Sequence, residues 1–107
     1  MKSLPVVALA AVREDVQLAY DYFEERLPGA GERFLENYFK AVERIASNAL
    51  LFPVKFDDYH RALVPKSNYA VYYFTLEDRS IMVAVIDARR DPRLTRDLIR
   101  FRKDNLD

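Results

Sequence analysis

Two apolar runs set end to end between Tyr69 and Pro92 constrain this chain more than any other feature. The first reads YAVYYFTL and the second IMVAVI, with Glu77-Asp78-Arg79-Ser80 as the polar break between them. β-Branched and aromatic residues on both sides of a short polar gap mark an antiparallel hairpin with a four-residue loop. In the first run Ala70, Tyr72, Phe74 and Leu76 share one face, while Tyr69, Val71, Tyr73 and Thr75 share the other. In the second, Ile81, Val83 and Val85 oppose Met82, Ala84 and Ile86. Neither run alternates apolar with polar residues, so a strand pair covered on both faces, at the centre of a sheet, is expected. Polarity then switches abruptly in Asp87-Ala88-Arg89-Arg90-Asp91-Pro92-Arg93, which sets several charges on the rim where the second strand ends.

At 107 residues the chain is expected to be one domain, residues 1–107, able to bury a core without staples. Half of it is hydrophobic and 13% aromatic, which excludes a disordered or linker-like protein. There is no cysteine and a single histidine. Disulfide frameworks, thiolate zinc sites and a cysteine nucleophile are thereby excluded, and His60 alone cannot make a histidine metal cluster. The lack of cysteine suits a cytoplasmic location. Seventeen basic residues balance seventeen acidic ones, so a nucleic-acid grip would have to rest on a local patch.

The opening LPVVALAAV has nine apolar members interrupted by Pro5, too short for both the core and the cleavage region of a signal peptide. It reads as a first strand from about Leu4 to Leu9. No run approaches the ~18 apolar residues that span a bilayer, so no membrane partner is expected. Val12, Val16, Ala19, Tyr20, Phe23 and Leu27 recur at helical steps from Ala11 to Leu27, with Glu14 and Asp15 placed in the first turn to suit the helix dipole. Pro28-Gly29 stops that helix. Phe34, Tyr38, Ala41, Val42, Ile45 and Ala49 repeat the spacing from Ala30 to Ala49, completing a helix hairpin. A strand from Phe56 to Val64 follows, with Tyr59, Arg61 and Leu63 on one face and His60, Ala62 and Val64 on the other. The basic tail from Arg93 to Lys103 is read as a short closing helix.

The order β-α-α-β-β-β resembles the RelE/ParE superfamily of type II toxin–antitoxin toxins, also known as plasmid stabilisation proteins. The resemblance is carried by Ala19-Tyr20-(x2)-Phe23, Pro28-Gly29-Ala30-Gly31-(x2)-Phe34, Ile45-(x7)-Pro53, Arg61, Tyr69-(x2)-Tyr72-Tyr73 and Ala88-Arg89-Arg90-Asp91-Pro92, and it covers nearly the whole chain. The Pro-Gly-Ala-Gly turn and the Arg-Arg-Asp-Pro ending are closer to the ParE branch. It implies an α+β fold, with the helix hairpin packed on a mostly antiparallel sheet. It also implies a bacterial toxin silenced by a cognate antitoxin, with DNA gyrase as the target of a ParE-like member. The rival implied activity is RelE-like cleavage of messenger RNA on the ribosome. A degenerate member that only binds antitoxin is a third.

The residues weigh between these. Cleavage through a 2′-hydroxyl needs a base, an acid and cations for the developing charge. Arg61 with Arg89 or Arg90 offers the cations. Asp87 stands where the family often has histidine, however, and no tyrosine follows Arg90. His60 is the one candidate acid or base, read as a surface residue beside a turn. The expected activity is therefore gyrase inhibition by protein–protein binding, with no catalytic residues, no cofactor and no metal; a nuclease would use Arg61, Arg89, Arg90 and His60. Asp57 and Asp58, read as neighbours on a strand, point apart and cannot chelate together. Direct nucleic-acid binding is not expected unless the protein works on the ribosome. Arg61, Tyr73, Arg89, Arg90 and Arg93 are the expected target-binding residues, with Tyr73 and Tyr69 placed on the face that carries Arg61. Leu18, Tyr22, Leu35 and Phe39 fall off the main helix stripes and are the expected antitoxin-binding residues.

Overall fold

The computed structural model describes residues 3–105. The elements run β1 (Val6–Ala8), α1 (Ala10–Arg26), α2 (Ala30–Ser47), β2 (Val54–Phe56), β3 (Tyr59–Leu63), β4 (Tyr69–Thr75), β5 (Ser80–Asp87) and α3 (Pro92–Asp104). The sheet has five strands in the order β1-β5-β4-β3-β2; only the β1–β5 pair is parallel, as a chain that leaves β1 into two helices requires. This is the α+β arrangement expected, with the β4–β5 hairpin at its centre.

Each face of the hairpin carries its own core. On one side Val71, Tyr73, Met82 and Val85 meet Val12, Ala19, Phe34, Tyr38 and Ile45 of the helix pair. On the other, Tyr59, Tyr72, Phe74, Ile81 and Val83 meet Ile99 of α3. A strand buried on both faces needs no polar alternation, which accounts for the composition of both runs. Strict alternation in β5 nevertheless fails. Tyr72 pairs with Ala84 but Tyr73 pairs with Met82, so Val83 is an inserted residue. The bulge sends Val83 and Ala84 to the same face and moves Val85 under the helices, where a regular strand would not have put it.

Helix α1 starts one residue earlier than its apolar period indicates, and its first turn holds no acidic residue. Asp15 is consequently not a dipole partner but a buried group, described below. Gly29 ends the hairpin turn at φ +92°, where a side chain would be strained. The Glu24 carboxylate accepts the Gly29 and Gly31 amides at 3.0–3.1 Å, capping α2 from the preceding helix; these bonds hold Glu24 below the usual carboxylate range.

The expected strand from Phe56 to Val64 is two strands. Asp57 and Asp58 form the two-residue turn between β2 and β3, with Asp57 at φ +48°. Aspartate tolerates that conformation better than most residues, which overrides the apolar run around it. Both carboxylates turn toward α3. Asp57 accepts two hydrogen bonds of 3.0 Å from Arg100, and Asp58 lies 3.8 Å from the Lys103 Nζ. The basic tail is thus a thirteen-residue helix docked by its own charges, capped by the Asp91 side chain with Pro92 in the first turn.

Candidate functional site

Consecutive residues of β3 point to opposite faces, and this separates His60 from Arg61. His60 is buried, its ring stacked on Tyr73 at 5.0 Å and 13°, with Nδ1 2.7 Å from the Phe52 carbonyl oxygen. A contact of that length requires Nδ1 to carry the proton and donate it. The surface histidine expected beside a turn is therefore a buried residue, because its ring stacks on Tyr73, which faces the helix pair, and its Nδ1 is tied to the Phe52 carbonyl.

Tyr73, the expected target-binding tyrosine, is fully buried and its hydroxyl donates to the Ala49 carbonyl. Burial pushes its phenol up to about 12. It does not share a face with Arg61 because the ladder pairs Arg61 with Tyr72 and His60 with Tyr73. Tyr69 likewise packs toward the helix hairpin, against Phe23 and Phe34.

Arg61 opens on the α3 side, into a small pocket of about 80 Å³. Three further cations line it: Lys55 from β2, Arg90 from the rim after β5, and Arg96 from α3. Tyr72 and the buried Thr95 complete its polar surface. Among the described residues no carboxylate lines it, although Arg100 with Arg96 holds Asp57, Arg93 with Arg96 holds Asp91, and Arg89 with Arg90 holds Asp87 below the usual carboxylate range. Among the described residues none of the four cations forms an ion pair.

The neighbouring arginines differ. Arg89 is clamped by Asp87 through bonds of 2.7 and 3.1 Å, and Arg93 is held by Asp91 at 3.2 Å. Each pair is local and exposed, and each arginine holds its aspartate below the usual carboxylate range. Of the expected rim, then, Arg61 and Arg90 converge, while Arg89 and Arg93 are turned to their own loop. Lys55, Thr95 and Arg96 carried no motif. Asp91-Pro92 as a cap followed by the first helical position was the available signal for α3, and hence for Thr95 and Arg96 in its opening turns.

Guanidinium groups offer paired donors to carboxylate or phosphate, so four cations around one small opening are chemically suited to receive an oxyanion. Proton transfer is another matter. Among the described residues no imidazole and no carboxylate lines the pocket, and guanidinium groups do not release protons near neutrality, which leaves the Lys55 ammonium and the Tyr72 hydroxyl as its groups able to exchange one.

The four apolar residues expected to meet the antitoxin fall on two surfaces. Leu35 and Phe39 line an open groove of about 930 Å³ along α1 and α2, together with Leu9, Val16 and Tyr20. Leu18 faces a separate groove between α1 and α3, and Tyr22 leans on Tyr69 with the Arg26 guanidinium 3.5 Å above its ring. Leu18, Tyr22 and Phe39 are all exposed, so each surface offers apolar area to a partner. Among the described residues no helix is long and apolar enough to cross a membrane.

No family model matches the sequence, and none of the curated proteins does. Among solved structures, a chain of the chromosomal ParDE TA system from P. aeruginosa superposes with a TM-score of 0.70 over 79% of this chain and 96% of that one, at 8% identity. At that identity the likeness is one of fold. This chain has the RelE/ParE-like fold that its motifs imply.

Proposed function

We propose that this protein is the toxin of a type II toxin–antitoxin pair, that it inhibits DNA gyrase by binding rather than by catalysis, and that a cognate antitoxin holds it silent. The observation that carries the binding mode is the pocket of Lys55, Arg61, Arg90 and Arg96: among the described residues, four cations without ion-pair partners, lined by no imidazole and no carboxylate. Such a pocket recognises an anionic group on a target. His60 is sealed behind the sheet and cannot serve it. The ParDE-like fold and the apolar groove of Leu35 and Phe39 support an antitoxin that lays an apolar helix face on the hairpin.

A second reading has one observation in its favour: the same four cations would neutralise a phosphodiester, as ribosome-dependent cleavage of messenger RNA requires. Controlled induction in a bacterial host separates the two. Gyrase inhibition gives growth arrest with DNA-damage signalling, filamentous cells and intact transcripts, and purified protein blocks supercoiling. Codon-register cuts that disappear in Arg61→Ala would favour the nuclease. Absence of any growth effect from soluble protein would overturn both in favour of a degenerate, antitoxin-binding form.

A further inference from the structure

The hydrogen-bonding edge of β5 is longer than the strand that covers it. β1 pairs only with Ser80, Ile81 and Met82, and the Leu9 amide adds one more bond, to the Met82 carbonyl. There the chain turns away into α1. Among the described residues, the side of β5 away from β4 has no strand neighbour from Val83 to Asp87. An uncovered edge of this kind templates pairing with another strand.

Two side chains stand where the missing strand would be. The Asp15 carboxylate, reaching back from α1, accepts the Val85 amide at 3.0 Å. The Arg102 guanidinium, reaching down from the last turn of α3, donates to the Val83 carbonyl at 3.0 Å. The two are locked together by bonds of 2.6 and 2.9 Å, with Asp15 8% and Arg102 15% exposed. One acceptor and one donor thus answer the alternating N–H and C=O of the strand edge, as a neighbouring backbone would. An ion pair this buried gives little net stability over apolar packing, so its position at the edge calls for another explanation.

We propose that the Asp15–Arg102 pair is an edge guard: it blocks addition of a strand to β5 by a second copy of this chain. The occupant follows from the edge itself. Val83-Ala84-Val85-Ile86 is apolar, uncharged, free of proline and rich in β-branched residues, the composition that pairs with its own kind. Every copy presents the same segment, so two edges can meet antiparallel about a two-fold axis. The groove above this edge, between α1 and α3, is already open at Leu18, which is 68% exposed. The guard operates whatever the protein's target is.

The test replaces the pair by apolar groups of similar bulk, Asp15→Leu with Arg102→Met, in the full chain. Sedimentation over a range of concentrations and amide exchange along β5 are compared with the wild type. The expected result is a folded variant, by circular dichroism and melting, that self-associates about tenfold or more tightly than the wild type, with exchange at Val85 slowed on association. A folded variant that stays monomeric over the same range overturns the guard. So does association that leaves exchange from Val83 to Asp87 unchanged, since the contact then lies elsewhere. Should the double variant not fold, Arg102→Lys decides by the same readouts: it keeps the charge but loses the paired donors that span Asp15 and Val83.

Discussion

His60 and Arg61 are neighbours in sequence but lie on opposite faces of the sheet: the imidazole is stacked on Tyr73 beneath the helix pair, and the guanidinium opens into the four-cation pocket beneath α3. The only imidazole in the chain is therefore unavailable to this pocket, whose four cations form no ion pair among the described residues. That one alternation in β3 is among the observations behind the proposed binding mode.

Charge removal should act differently at paired and unpaired arginines. Arg61→Ala with Arg90→Ala is expected to abolish growth arrest while melting shifts by no more than a few degrees, since among the described residues neither side chain has an ion pair to lose. Arg89→Ala with Arg93→Ala removes two exposed, solvent-screened pairs and should leave both melting and toxicity largely intact. Equal loss of toxicity in both variants would show that the whole rim, rather than the pocket, meets the target.

Tyr73→Phe deletes one hydroxyl whose partner is the buried Ala49 carbonyl. The cost expected is about 1–2 kcal/mol in denaturant unfolding, with toxicity per folded molecule unchanged. Loss of toxicity at full stability would return Tyr73 to the binding surface and contradict its burial.

Breaking the Asp15–Arg102 pair from one side should be severe. Asp15→Ala strands a buried guanidinium and the Val85 amide together, and about 3–5 kcal/mol of unfolding free energy is expected to go. Urea titration with a probe of helix content measures it. A loss under 1 kcal/mol would mean that water enters the site readily.

The Asp57–Arg100 contact makes α3 docking sensitive to acid. The two bonds from Arg100 hold the Asp57 carboxyl below its ordinary range. A group depressed in this way stabilises the fold above its unfolded pKa, near ~3.9, and that contribution is lost as pH falls through the lower folded value. Exchange at amides of the β2–β3 turn and of α3 should therefore rise below about pH 4. In Asp57→Asn the pH dependence of that step should flatten.

Gly31→Ala tests the helix crossing. Alanine ordinarily strengthens a helix by about 1 kcal/mol over glycine. Here a Cβ would sit 2.8 Å from the Tyr20 ring, so the overpacking penalty of about 1–3 kcal/mol should reverse the sign. A melting temperature that rises would show that the Tyr20 ring gives way freely.

Much of this protein is decided locally and can be read along the chain. The two apolar runs from Tyr69 form strands because their β-branched and aromatic residues suit a pleated surface, and a polar break turns them back. The helix pair follows from apolar spacing and from Pro28-Gly29, and the faces of β3 and β4 from simple alternation. The tertiary structure alone decided what depends on partners far along the chain. Asp57-Asp58 can turn on local grounds, but that its carboxylates dock α3 through Arg100 and Lys103, some 45 residues away, is decided only in the fold. Asp15 and Arg102 are 87 residues apart and meet only because β1 ends early and leaves an edge of β5 to be satisfied. The bulge at Val83 shifts the phase of β5, which no period-two reading anticipates. The pocket itself draws Lys55, Arg61, Arg90 and Arg96 from four separate segments, and charge that converges through folding leaves no motif in the sequence.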